Sequence, residues 1–558
     1  MRNVNKWVLL ICLALSCILI LASCVKGDDP ASEENGIENE DMNEGTDEGN
    51  TEDNTNEDSE NSDEAAGPVE GGDLIMAMPS DIVSLDPHGS NDSPSSNVRS
   101  ALYETLIYQD ENMELHPHLA EEFEQVDETT WEFKLREGIT FHDGEPFTAE
   151  AVKATFERVL DPDLASQRTF LFDMIEEVEV IDEYNVRITT EYPFAPLAAH
   201  LAHDAGGIIS PKAIEDDYNG DINLDIEAYG TGPFKLESWG QGEEVVISRN
   251  EDYWGDPAYL DTVTFKVVPE QLTRIGMLEN NEAHIADQIE STNASRVENT
   301  EGVQLIAQPR WSLTYAGFNT EKEPFDDPNV RKAISMAIDT DAINEGIYQG
   351  YGTPAKGPIN DLIFGYKDDL EGLPYDPEAA KDLLAEAGYE DGFSTTLWTN
   401  DDNPERIQTA EYIQDQLEDI GIDVEIELVE WGAFLDATGK GEHEMLVLGW
   451  VTVTGDADYG MYSLFHSSNK GAPGNRSFYE NEKVDELLDQ ARRETDVETR
   501  EQLYHEVQEI LVEEAPMIYT IHNDRLVGVS EQVHNFSVHP NDLFLFHHTY
   551  LTEDDVSY

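Results

Sequence analysis

The chain has 558 residues with 39% hydrophobic and 9% aromatic content, enough to bury a sizeable core in more than one lobe. Its 119 acidic residues face only 32 basic ones, a formal net charge of -87. A surface so poor in Lys and Arg repels phosphate backbones, which excludes DNA and RNA as partners. Carboxylates in this number keep a protein solvated, and predict a salty or alkaline medium.

Arg2 and Lys6 precede an apolar run from Trp7 to Ala22, too short to span a bilayer comfortably and patterned like a secretory leader. The run closes on Leu21-Ala22-Ser23-Cys24, the form of a bacterial lipobox. This predicts a signal peptide over 1–23 and diacylglycerol on the Cys24 thiol; an uncleaved membrane anchor is the alternative. Cys12 and Cys17 are the other cysteines, so the mature body has no disulfide and no thiol nucleophile. Residues 27–72 carry 18 acids and no base. So little apolar surface cannot offset chain entropy, and the segment 24–72 reads as a disordered, self-repelling tether. Its length suits a lipoprotein standing off the outer face of a Gram-positive cell membrane. The body beyond it holds 101 acids against 29 bases, about -72.

Residues 73–78 read as a first strand. A loop over 89–96, containing Asn91 and Asp92, leads into a helix at about 98–106. Trp131, Phe133 and Leu135 alternate with Glu132, Lys134 and Arg136, the period of a half-buried strand. Glu137-Gly138 permits a turn into a second short extended run, 139–141, so a strand pair is expected to feed the next helix. Thr148 caps that helix, and Val152, Phe156 and Val159 share its face. Strands at 177–181 and 185–190 form another pair. The order strand 263–268, helix 271–280, strand 283–286 has the sense of a parallel-sheet unit.

The stretch from Arg310 through Tyr315 to Thr320 is expected to cross into a second lobe. Asp327-Pro328 and Asp376-Pro377 each open a helix with one apolar face. A strand at 394–398, a helix at 405–420 and strands at 422–429 and 445–448 follow. Strands alternating with helices indicate an α/β lobe with a largely parallel sheet. Helices at 484–493 and 500–513 precede a strand at 515–519, by which the chain returns to lobe one, where the tail around 536–538 packs. No G-x-S-x-G, H-E-x-x-H or G-x-x-x-x-G-K motif is present. With 101 carboxylates in the body, acid pairs carry little information.

The run TWEFKLREGITFHDGEPFTAEAVKATFERVL, residues 130–160, resembles the family 5 extracellular solute-binding proteins, the peptide, dipeptide, nickel and glutathione receptors of ABC importers. Ser84-Leu85-Asp86-Pro87-His88, Tyr229-Gly230-Thr231-Gly232-Pro233-Phe234 and Asn250-Glu251-Asp252-Tyr253-Trp254-Gly255 resemble the same family. The resemblance runs from residue 73 to the C-terminus. It implies an α/β, two-lobed periplasmic-binding-protein-like fold of type II in its large form, with a hinge cleft between the lobes. Lobe one would take 73–313, with an extra subdomain at about 113–228; lobe two would take 314–518, and 519–558 would return to lobe one. The implied protein is a monomeric receptor without cofactor or catalysis that delivers its solute to an ABC permease and ATPase complex.

The segment LGWVTVTGDADYG, residues 448–460, resembles the oligopeptide- and glutathione-binding branch. Dipeptide receptors of the family hold the ligand's α-ammonium on a carboxylate placed as G-W-x-x-D, and here that position is Val453. Asp456 and Asp458, beside Thr454, either replace that carboxylate or shape a turn. Trp450 either stacks on a ligand or packs in the core. Arg310 and Arg476, scarce bases in an acidic body, either clamp a peptide carboxylate or serve as structural ion-pair partners. Ligand contacts are therefore expected among Asn91, Asp92, Arg310, Tyr315, Trp450, Thr454, Asp456, Asp458 and Arg476. His116 with His118, His200 with His203 and His547 with His548 lack the acidic or Cys neighbours of a metal site in sequence. The expected solute is peptide-like, an oligopeptide or glutathione. The alternatives are a nickel or metal-chelate receptor of the same fold, an exported hydrolase using a carboxylate pair, and a pheromone sensor without transport.

Overall fold

Two large sheets, a four-stranded one and three two-stranded pairs carry the chain in the computed structural model, which describes residues 68–552 apart from residues 402 and 473. The leader, Cys24 and the acidic tether lie outside the described residues. Strand Asp73–Met78 is largely buried and pairs in parallel with Thr262–Val267 on one side and Ile285–Ala286 on the other. Apolar side chains dominate it, as a strand covered on both faces requires. Val303–Gln308 and Arg525–Ser530 extend this sheet at one edge, and Glu244–Arg249 and Phe234–Gly240 at the other.

The second sheet is centred on Ser312–Phe318, buried along its whole length. Met517–Asn523 and Met445–Val451 flank it antiparallel, and Phe393–Asn400 and Ile422–Val429 complete a parallel run beyond. Two of its helices begin where the expected caps stand, and a third, expected from 405, begins at Pro404 behind a cap not read from the sequence. Asp327 accepts from the Asn329 amide, Asp376 from the Ala379 amide and Asn403 from the Arg406 amide, each with Pro in the first turn.

The chain passes between the sheets at 309–311 and again at Asp524. These crossings lie a few residues from the expected points after Leu313 and Ile518, because Met517–Asn523 is a full strand of the second sheet. The crossings touch each other. Arg310 Nε and Ser312 Oγ both donate to the Asn523 carbonyl, at 3.2 and 3.1 Å.

The small antiparallel sheet has the order Ala120–Asp127, Thr130–Leu135, Asn185–Thr190, Ile175–Asp182. The expected pairing of 130–135 with 139–141 is therefore replaced. Gly138, at φ +80, turns the chain off the sheet. Ile139, Phe141 and Phe147 then enter the core as an irregular stretch holding only a Thr140–Pro146 bridge. Helix Ala149–Val159 covers this core with Val152, Phe156 and Val159, with Thr148 at its N-cap.

Candidate ligand cleft

A cavity of about 210 Å³ lies between residues of both large sheets' lobes. Asn91, Asp92, Arg168 and Asp204 form its wall on lobe one. Trp450, Val453 and Tyr459 form the wall on lobe two, and the C-terminal loop residues Asn541, Asp542 and Leu543 complete it.

The first wall is built on helix Ser93–Leu102. Asp92 is its N-cap, and Asp92 Oδ1 accepts from the Ser95 amide at 2.9 Å. Asn91 Oδ1 accepts from Arg168 Nη1 at 2.6 Å. Arg168 is 2% exposed; its Nε donates to the Ser90 carbonyl at 2.9 Å and its Nη2 to Ser96 Oγ at 3.3 Å. Asp204 receives both Nε and Nη2 of Arg99, at 3.2 and 2.9 Å, and Arg168 Nη2 stands 3.8 Å away. Burial works against the charged Asp204, but His203, Arg99 and Arg168 outweigh it and hold this carboxyl well below its ordinary range. Burial also depresses the His203 imidazole to about 3, against the pull of Asp204, so His203 is neutral at physiological pH.

The second wall begins where Met445–Val451 leaves its sheet, the strand end at which open α/β lobes place ligands. The Trp450 ring stacks on Tyr459 with centroids 5.3 Å apart, and Tyr459 packs on Phe170 of lobe one at 6.0 Å. Gly455 has φ +64, and a Cβ there would meet the Trp311 ring at 2.7 Å, so this turn admits only glycine. A single π-helical turn follows at Asp458–Tyr462, a local widening frequent at functional sites.

In the C-terminal loop Asp542 takes φ 74, a conformation that Asp and Asn tolerate better than most residues. Its two carboxylate oxygens are placed differently. Oδ2 accepts from Arg310 Nη1 at 2.9 Å and lies 3.6 Å from Arg525 Nη1, whereas Oδ1 has no partner within the protein.

Of the ligand contacts expected from sequence, Asn91, Asp92 and Trp450 are on the cavity wall, with Val453 beside them. The others are not. Asp456 accepts two hydrogen bonds from Arg500, at 2.8 and 2.6 Å, deep in lobe two. Asp458 Oδ1 lies 3.0 Å from Arg492 Nε. Tyr315 is 1% exposed in the central strand, its phenol pushed up to about 12 by burial. Arg476 Nε donates to Thr438 Oγ1 at 3.1 Å, Thr454 is 1% exposed, and Arg310 sits at the crossings. The physical reason is common to the arginines and acids. In the lobe interior a guanidinium draws a nearby carboxylate or carbonyl, as Arg500 does with Asp456 and Arg310 with the Asn523 carbonyl, whereas Arg476 is held by a hydroxyl.

Arg168, Asp204 and Asp542 belong to the wall without having been singled out from sequence. The scarcity of bases was a signal for Arg168 as much as for Arg310. Asp542, in His539-Pro540-Asn541-Asp542, has no periodic or motif context to mark it. The histidine pairs stay apart from the cleft except at His203. Among the described residues, one group of metal-ligating atoms does converge, Asp110, Glu114 and His116, within 4.8 Å of one another. There Asp110 Oδ1 already accepts the Asn112 and Glu114 amides, and Oδ2 lies 2.9 Å from His116 Nε2.

Residues 114–472 match the family described as bacterial extracellular solute-binding proteins, family 5 middle. The chain is 35% identical over 491 residues to the glutathione-binding protein GsiB of Pectobacterium atrosepticum, covering 86% of this chain and 94% of that one. GsiB of Salmonella typhi is 35% identical over 483 residues, covering 85% and 93%. Among solved structures, the periplasmic binding protein DppA of Helicobacter pylori in complex with the peptide STSA superposes with a TM-score of 0.78 at 31% identity, covering 87% of this chain and 98% of that one. The oligopeptide-binding protein AppA of Bacillus subtilis in complex with a nonapeptide gives 0.76 at 27% identity, covering 87% and 100%. The fold is thus the two-lobed one of these binding proteins, whose members are receptors and not enzymes. A cavity walled by two lobes, a family match over most of the body and relatives of nearly equal length converge: this chain belongs to the family 5 bacterial extracellular solute-binding proteins.

Proposed function

We propose that this protein captures a short peptide-like solute, a peptide of a few residues or glutathione, and delivers it to the permease and ATPase of an ABC importer. It does so as a monomer held to the outer face of the cell membrane by lipid on Cys24. The observation that carries the reading is the cavity to which both lobes contribute polar groups and an aromatic face. Its volume of about 210 Å³ falls below the roughly 300–1,000 Å³ of sites for drug-sized ligands, which favours a few residues over a long peptide. The relatives named as glutathione-binding and the STSA complex of DppA support the same ligand class.

The test is native mass spectrometry and thermal melting of the purified body with glutathione and with di-, tri- and tetrapeptides. An intact ligand retained in the complex is expected, with stabilisation of about 2.7 kcal/mol at a hundredfold excess over Kd. Cleaved peptide would overturn the receptor reading. Recovery of only sugars or metal chelates would overturn the peptide assignment.

A further inference from the structure

Arg476 is a buried cation in lobe two that the protein does not neutralise. It is 9% exposed, and its Nε donates to Thr438 Oγ1 at 3.1 Å, a hydroxyl that itself donates to the Phe434 carbonyl at 2.7 Å. Among the described residues, its two terminal nitrogens have no hydrogen-bond partner and no carboxylate forms an ion pair with it. Other buried guanidiniums are compensated. Arg99 has Asp204, Arg158 has Asp86 and Asp217, Arg500 has Asp456 and Arg525 has Asp287. Arg331 is satisfied by the carbonyls of Phe325, Glu514 and Ala515. A guanidinium stays charged even where burial opposes it, and a buried charge without a partner is costly. In a chain with 119 acids and 32 bases, a base left without an acid calls for an anion from outside the chain.

The groups beside it are donors. Ser477 is 2% exposed, and its Oγ is buried without a partner. A Cβ at Gly317 would lie 3.2 Å from Tyr315 Cε2 and 3.3 Å from Ser477 Oγ, so the Ser477 hydroxyl and the Tyr315 ring flank one point on the central strand. The charged groups acting on the Tyr315 phenol are Arg476 and Arg406, both cations. Burial pushes that phenol up to about 12, so it keeps its proton. None of Tyr315, Arg476 and Ser477 lines the interlobe cavity.

We propose that lobe two carries an internal site for a small monovalent anion of the halide class, held by Arg476 and the Ser477 hydroxyl beside Tyr315. A halide accepts N–H and O–H donors from any direction, and its single charge matches one guanidinium. The site goes beyond the peptide reading and does not rest on it: the anion compensates the interior of lobe two, whatever solute the cleft takes.

Thermal melting of the purified protein tests this at fixed sodium concentration, with chloride, bromide or gluconate as the counter-ion. Chloride and bromide are expected to raise Tm along a saturating curve, by about 2 °C or more over gluconate, which is too large for the interior. Ser477→Ala removes one donor and is expected to raise the half-saturating chloride concentration about fivefold. Arg476→Gln is expected to abolish the difference between the anions. In crystals grown with bromide, anomalous scattering is expected beside Arg476. Equal Tm in the three salts, or a chloride effect that survives unchanged in both variants, would overturn the site. Competition between chloride and trialanine would also overturn it, by marking the anion's place as part of the solute cleft. Only that last readout involves a peptide, so failure of the others leaves the proposed function untouched.

Discussion

Asp456 and Arg500 hold each other through two hydrogen bonds in the interior of the second lobe, and the guanidinium also lies over the Phe364 and Tyr504 rings at 4.8 and 5.1 Å. Removing the carboxylate leaves that cation buried without its partner. Asp456→Ala is expected to destabilise the fold by about 3–5 kcal/mol, read as a lower urea midpoint at unchanged slope. The ligand affinity of the protein that remains folded should be nearly unaltered; a large loss of affinity at unchanged stability would contradict the placement. Trp450→Ala should behave in the opposite way. Its ring forms part of the cavity wall and stacks on Tyr459, so affinity is expected to fall more than stability. Sequence directed attention to this loop, of which Trp450 and Val453 line the cavity. It did not give the fate of its acids, because Arg500 is 44 residues from Asp456 and only folding brings them together.

At the scale of elements, the two lobes meet through contacts of their own. Helix Ser291–Glu298 belongs to lobe one, and its Ser291 amide and Oγ both donate to Glu405 Oε1, in the first turn of helix Pro404–Glu418 of lobe two, at 3.2 and 2.8 Å. A carboxylate at a helix N-terminus is favoured by the exposed amides and the helix dipole. A second tie runs from the Ala195 amide to the Arg492 carbonyl at 2.9 Å, with the Arg492 guanidinium over the Phe194 ring at 5.0 Å. Glu405→Ala should loosen closure. The expected outcome is a severalfold weaker apparent Kd and a larger radius of gyration in solution scattering of the ligand-free protein; an unchanged radius with weaker binding would place Glu405's effect elsewhere. Helices of this kind were legible because caps are local: Asp327-Pro328 and Asp376-Pro377 fixed their starts. Pairings such as Thr130–Leu135 with Asn185–Thr190 were not, since the strand's alternation defines a face but not the partner across it.

For the whole molecule, the polar interior sets a one-sided response to pH. Burial depresses His88, His142, His443 and His522 to about 4 and His203 to about 3, each against smaller raising effects of nearby groups. A histidine depressed on folding adds stability that is fully present above its unfolded value of about 6.5 and is lost as pH falls through the folded value. Asp86 is also depressed, because His88 and Arg158 outweigh the burial that would raise it, and its contribution disappears at still lower pH. Thermal melting from pH 8 to 4 should show Tm nearly level above 6.5 and falling steadily below it; a level Tm down to pH 4 would refute the burial of neutral imidazoles. The ties between the lobes carry a different implication, for signalling economy. None of Ser291, Glu405, Ala195 and Arg492 lines the cavity, so neither tie needs a ligand to form. A tie of this kind favours the arrangement in which the lobes meet with or without ligand, and a ligand can shift the balance only by its preference between shapes. Strengthening either tie is therefore expected to tighten apparent binding while blurring the message that closure sends to the importer, measurable as ATP turnover without cargo.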